Sequence, residues 1–338
     1  MKTTMAALNV TLIVIVCAIS TGAHAIQNPF TDNFINQINS RQNSWKAGRN
    51  FPLHISIKFI KNLAGTIKDA YLPKLPQMKH GAELIGSLPD NFDPREKWPH
   101  CPSLNEIRDQ GACASCWAFG GVEAMTDRYC IHSNGTEQFH FSAQDLINCC
   151  ETCGLGCIRG VHTAAWLYWK QVGLVSGGNY KTNDGCKSYK IPPGLNGTSN
   201  APYFKETVDA SQCVTTCDSN FIDYRENKRH GKNAYSIGYN EDQIKLELFK
   251  NGPVESVMAV YTDFLSYKNG VYNQTQGHLL GHHAVKILGW GVENGHKYWL
   301  VANSWNQHWG DKGFFKILRG VNHCGIEDSV VAGEPIIV

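Results

Sequence analysis

Cys116 stands at the end of the run Gln110-Gly111-Ala112-Cys113-Ala114-Ser115-Cys116-Trp117-Ala118-Phe119. A thiol is mostly protonated at neutral pH, so a nucleophilic cysteine needs a helix N-terminus or an imidazolium beside it to favour the thiolate. Ala118, Val122, Met125 and Tyr129 recur at helical spacing. They predict an amphipathic helix with Cys116 in its first turn and Ser115 as the N-cap. Of the 14 histidines, His283 is the best placed to supply the imidazole, because it heads the strand-like run Ala284-Val285-Lys286-Ile287-Leu288. A second such run, Tyr298-Trp299-Leu300-Val301-Ala302, delivers Asn303, whose amide can accept from the imidazole and fix its tautomer. Trp305 would shield that bond from water. The Gln110 side-chain amide and the Cys116 backbone N–H would serve a developing oxyanion. The set suits acyl transfer through a thiolate.

Other chemistries explain less. Cys113 and Cys116 form a C-x-x-C, the spacing of a redox dithiol or half a zinc site, but Gln110 and Trp117 are then left without a role. The adjacent His282 and His283 point to opposite faces of any strand and cannot share a metal. The dense run Cys149, Cys150, Cys153 and Cys157 imitates a zinc knuckle. No metal and no cofactor is expected.

The elements that must position these groups divide by character. Helical periodicity dominates early (Cys116 to Tyr129, Thr163 to Lys170), and strand-like alternation dominates late (His283 to Leu288, Tyr298 to Ala302, Phe314 to Leu318). An α+β chain with a helical lobe and a β lobe follows, and it would set Cys116 across a cleft from His283 and Asn303. Lys2, the apolar run Leu12 to Ile19 and Ala23-His24-Ala25 read as a signal peptide over residues 1–25. The run is shorter than the ~20 residues of a membrane span. Residues 26–87 are polar and cysteine-free and end in Pro73 and Pro76, which suits a pro-segment; residues 88–338 would be the mature domain. A net charge of +2 gives no electrostatic case for nucleic acid. Thirteen cysteines behind a signal peptide indicate disulfides, and sequons at Asn134, Asn196 and Asn273 suit a glycosylated surface.

These blocks resemble the papain-like cysteine proteases, and within them the cathepsin B branch. The likeness runs from Leu88 to the C-terminus and includes Trp98-Pro99-His100-Cys101-Pro102, Leu174-Val175-Ser176-Gly177-Gly178, Asn251-Gly252-Pro253-Val254-Glu255 and Gly289-Trp290-Gly291-Val292-Glu293-Asn294-Gly295. Asn43 to Phe51 and Leu63-Ala64-Gly65-Thr66 are similar to that branch's pro-segment, with Ala64 where a cysteine is usual. The resemblance implies a two-lobe fold with a β-barrel-like right lobe. It implies Cys116 as nucleophile, His283 as general acid and base, Asn303 as orienting amide and Gln110 as oxyanion donor. It also implies protein and peptide substrates, the chain's own pro-segment and cystatin-type inhibitors as partners, and a lysosomal or extracellular destination. Setting aside Cys17, Cys116 and Cys324 leaves 13 − 3 = 10 cysteines. By resemblance they pair Cys101 with Cys130, Cys113 with Cys157, Cys149 with Cys213, Cys150 with Cys153, and Cys186 with Cys217.

Departures from the family carry their own expectations. The family's occluding loop, whose histidine pair captures a substrate's C-terminal carboxylate, is degenerate: Ile191-Pro192-Pro193 is followed by Gly194 to Thr198 with neither cysteine nor histidine. That predicts an endopeptidase with little or no carboxydipeptidase activity. The cleft wall carries Arg159 before Gly160 where the family has two glycines, and His282 replaces the glycine before the histidine. Val161, His162, Val257, Ala284 and Ser329 should line the S2 pocket with them, and Trp305 is a further substrate-binding candidate. Ser329 replaces an acidic residue, which predicts lost preference for a basic residue at P2, the second before the scissile bond. A methyl group at Ala114, beside the oxyanion loop, is a milder change. A relative that binds peptides or inhibitors but cleaves poorly is the alternative.

Overall fold

The computed structural model describes residues 28–55, 57–68, 73–194 and 212–338. The expected signal peptide, the sequon at Asn196 and most of the degenerate loop after Gly194 lie outside the described residues. In chain order the elements are α1 (Asp32–Arg41), β1 (Trp45–Ala47), α2 (Ile57–Leu63), β2 (Gln77–Met78), α3 (Pro94–Lys97), α4 (Cys116–His132), α5 (Ala143–Cys149), α6 (His162–Gln171), β3 (Tyr235–Ile237), α7 (Glu241–Asn251), β4 (Val254–Tyr261), β5 (Tyr267–Tyr272), β6 (Leu279–Glu293), β7 (His296–Ala302), β8 (Phe314–Leu318) and β9 (Val330–Ala332). Short 3₁₀ turns punctuate them.

Residues before Leu88 do not form a body of their own. Thr31 caps α1 by accepting from the Phe34 N–H at 3.3 Å, and the helix buries Phe34, Ile35 and Ile38. Phe34 and Ile38, with Trp45, Phe51, Ile60 and Leu63, merge into one core with Tyr267, Trp299, Trp305 and Trp309 of the β lobe. The nine strands run β1-β5-β8-β7-β6-β4-β9-β3-β2. Both edges, β1 against β5 and β2 against β3, come from this early segment. The barrel-like lobe expected from the sequence is therefore corrected to an open sheet, because the terminal strands pair only with their inner neighbours.

The second core belongs to the helices and joins Trp117, Met125, Tyr129, Leu146, Trp166 and Trp169. Five disulfides tie this half together: Cys101–Cys130, Cys113–Cys157, Cys149–Cys213, Cys150–Cys153 and Cys186–Cys217. Cys116 and Cys324 are free thiols. Such bridges shrink the unfolded ensemble of a loop-rich half that helices alone would hold weakly.

Helix α4 is not the amphipathic helix that its spacing predicts. Every residue from Cys116 to Cys130 is buried, since the helix packs against α6 on one side and β4 and β6 on the other. Two of its buried charges are paired. Asp127 meets Lys286 of β6 at 2.7 Å, and Arg128 meets Glu247 of α7 at 2.5 Å. The first pair joins the helix that starts at Cys116 to the strand that carries His283, and the second ties it to α7.

Candidate active site

Cys116 is the first residue of α4, so its sulfur lies where the helix presents unbonded N–H groups and its positive end. Ser115 occupies the N-cap position, yet its hydroxyl makes no cap bond. It lies 3.3 Å from the Tyr189 hydroxyl, which in turn donates to the Gln110 carbonyl at 2.7 Å. The N-cap hydroxyl therefore braces the loop ahead of the helix.

His283 is fully buried on β6, opposite Met258 of β4. Its Nε2 donates to Asn303 Oδ1 at 2.8 Å, and that same oxygen accepts from the Ser304 N–H at 2.8 Å. Asn303 itself is set by β7, which ends one residue earlier. Nδ1 lies against the Cys116 sulfur, with the Leu63 backbone also facing the ring. The Trp305 ring covers the pair, its centroid 4.7 Å from the imidazole. Burial alone pushes the Cys116 thiol up, but the facing His283 charge and hydrogen bonds from His283 and Thr66 bring it down to about 7. For His283 burial works downward, and the thiolate and the bond to Asn303 outweigh it and raise the imidazole. Both shifts favour the thiolate and the imidazolium over the neutral pair.

The Gln110 amide is clamped at every polar atom. Ser304 Oγ donates to Oε1 at 2.7 Å, while Nε2 donates to the Cys113 carbonyl at 2.7 Å and to the Leu63 carbonyl at 3.1 Å. Leu63 thus offers a backbone carbonyl oxygen to the donor expected to hold an oxyanion. The chain next crosses the cleft along backbone groups on both walls. The Thr66 N–H donates to the His282 carbonyl at 3.1 Å; Gly160 N–H donates to the Gly65 carbonyl at 2.9 Å, and the Ile67 N–H to the Gly160 carbonyl at 2.8 Å. Thr66 Oγ1 comes 3.1 Å from Cys116 Sγ, so a hydroxyl rather than a peptide carbonyl faces the thiol. Gly160 has to be glycine, because a Cβ there would enter the Trp117 indole.

The other expected lining residues divide. His162 opens α6 and meets the Ser329 hydroxyl at 2.9 Å, and burial pushes its imidazole down to about 4, so it is neutral. Val257 and Ala284 face each other across β4 and β6, both fully buried, and Val161 is buried beside Gly160. His282 is half-buried, and Arg159 is exposed. Thr66, the Leu63 carbonyl and Ser304 were not among the residues expected here. Leu63 and Thr66 stand out in the sequence only as part of the pro-segment motif, and Ser304 as a hydroxyl next to Asn303.

The chain is similar to known proteins. A model of the papain family cysteine proteases matches residues 88–334, and one of the peptidase family C1 propeptide matches residues 30–70. The chain is 45% identical over 311 residues to "Cathepsin B-like cysteine proteinase 5" of Caenorhabditis elegans, covering 89% of each chain. It is 42% identical over 319 residues to "Cathepsin B-like cysteine proteinase 6" of the same organism, covering 90% of this chain and 83% of the other. Among solved structures, "proCathepsin B S9 from Trypanosoma congolense" superposes with a TM-score of 0.80 at 36% identity, over 91% of this chain and 99% of that one. The chain belongs to the papain family of cysteine proteases, in its cathepsin B-like branch, and carries that family's propeptide ahead of the protease domain.

Proposed function

We propose that the protein is a cysteine endopeptidase held inactive by residues 26–87, with the mature enzyme beginning near Leu88. One observation carries the reading: a buried line of Cys116, His283 and Asn303 in which the thiol is drawn down and the imidazole up. The Cys116 thiolate attacks the scissile carbonyl. Gln110 Nε2 and the Cys116 N–H receive the oxyanion, at the place where the Leu63 carbonyl now accepts from Gln110. His283 protonates the leaving amine and then takes a proton from the water that hydrolyses the thioester, while Asn303 holds the ring. The pro-segment is a poor substrate because Thr66 presents a hydroxyl to the sulfur.

The primed side supports internal cleavage. Asp109 accepts from the Gly111 and Gly194 N–H groups, each at 2.8 Å, so the stem is drawn onto the cleft floor. No histidine in it is available to bind a terminal carboxylate. The exposed Arg159 lends no support to a blocked cleft and an impaired binder. The signal peptide, exposed sequons at Asn134 and Asn273 and the disulfides suit a protein of the secretory pathway, lysosomal or exported. Among the described residues no helix is long and apolar enough to cross a membrane. Peptides offered with free and with amidated C-termini test the reading. Internal cleavage of both at similar kcat/KM is expected; preferential release of dipeptides from the free carboxylate would overturn it.

A further inference from the structure

Lys68 follows the pro-segment residues that use the cleft's backbone groups, and its side chain reaches a carboxylate that no catalytic step employs. Lys68 Nζ lies 3.3 Å from Asp328 Oδ2 and 3.4 Å from the Gly325 carbonyl oxygen. The receiving site is built. Asn322 Nδ2 donates to the other carboxylate oxygen, Oδ1, and Asn322 is locked in turn: its N–H donates to Glu327 Oε2 at 2.9 Å, and its Oδ1 accepts from the Glu327 N–H at 2.9 Å. One oxygen of Asp328 is thereby held and the other turned to the ammonium.

The pocket base beside it is neutral, with the Ser329 hydroxyl bonded to His162. The charge that Ser329 removes from the base therefore reappears one residue earlier, at the rim. Burial, and after it the Lys68 ammonium, holds both His162 and His282 down. Once the pro-segment leaves, Asp328 Oδ2 and the Gly325 carbonyl are uncovered.

We propose that Asp328 is a specificity residue of the mature enzyme, taking at the cleft rim the ammonium of a lysine at P2 of the substrate. The inference deepens the endopeptidase reading and rests on it. It reverses the expectation drawn from Ser329, because the pocket keeps a cation acceptor in another place. It also sets lysine above arginine. With Oδ1 already bonded, the carboxylate offers one oxygen, which suits a point-charge ammonium and denies a guanidinium its bidentate fork.

The test uses processed protein carrying Cys116→Ser, freed from its pro-segment by an added protease, and peptides that differ only in Lys, Arg or Leu at P2. Calorimetry gives their Kd values, and kcat/KM on the active enzyme gives the companion ratios. Lysine is expected to exceed leucine by about fivefold, the size of a partly exposed charge pair, and Asp328→Asn to abolish that advantage. Asp328→Lys should turn it into a preference for glutamate. A Lys to Leu ratio that Asp328→Asn leaves unchanged, or a loss shared equally by both peptides, overturns the proposal. Because binding is read without turnover, an enzyme that binds but does not cleave would count against the endopeptidase reading and leave the Asp328 comparison decisive.

Discussion

Gly65 is where the pro-segment comes closest to the cleft, and Gly65→Ala tests whether that contact keeps the enzyme silent. A Cβ at Gly65 would run into the Ala114 carbonyl oxygen and side chain, beside the oxyanion loop, and backbone there cannot yield as a flexible side chain would. Lifting the strand breaks the bonds from Gly160 N–H to Gly65, from Thr66 N–H to His282 and from Ile67 N–H to Gly160. At roughly 0.5–1.5 kcal/mol each, the three contribute about 3 kcal/mol, on the order of a hundredfold in the occupancy of the covered state. The assay is the rate at which an epoxide alkylates Cys116 in the unprocessed protein. Gly65→Ala should label about a hundred times faster than the parent. Gly86→Ala is the control, since a Cβ there meets nothing within 4 Å. A Gly65→Ala zymogen that labels no faster than its parent would refute the steric argument and place inhibition elsewhere in the pro-segment.

Three further outcomes follow from the site. Gln110→Ala should lower kcat by about 10²–10³ with little change in KM, as for loss of one oxyanion donor, and Ser304→Ala by about fivefold through the freed amide; an effect confined to KM would contradict this. Lys286→Met leaves Asp127 unpaired beneath the cleft and should cost about 3–5 kcal/mol in denaturant unfolding, whereas a loss under 1 kcal/mol would mean the pair is not buried as described. The Cys116 thiol is drawn down from 9.0 to about 7, so the thiolate is present above that value and its contribution to stability is lost as pH falls through about 7; the raised His283 loses its contribution as pH rises. Thiolate absorbance should titrate near pH 7, and Thr66→Val should move the midpoint upward; an unmoved midpoint would remove Thr66 from the account.

Much of the site was legible because its chemistry is written locally. Cys116 sits where a helix begins and Asn303 just past a strand's end, while His283, expected at a strand's head, is the fifth residue of β6; residue type and short-range pattern suffice to nominate all three. What escaped the sequence is set by contacts between distant segments. Helix α4 has an apolar spacing, but its remaining face turns to β4 and β6 rather than to water, and Lys286 and Glu247 explain its Asp127 and Arg128. The sheet stays open because β1 and β2, 3 and 2 residues long, come from the residues before Leu88 and end the ladder on both sides. Ser115 occupies the capping position and spends its hydroxyl on Tyr189. Lys68 and Asp328 lie 260 residues apart, and nothing in either neighbourhood announces the other.

The central claim, that one thiolate activated by His283 performs the cleavage, is tested most directly by titrating the processed protein with an epoxide while following peptide turnover. Labelling of one equivalent at Cys116, loss of turnover in strict proportion and neither in Cys116→Ser is the predicted result; turnover that survives full labelling, or that persists in Cys116→Ser, would contradict it.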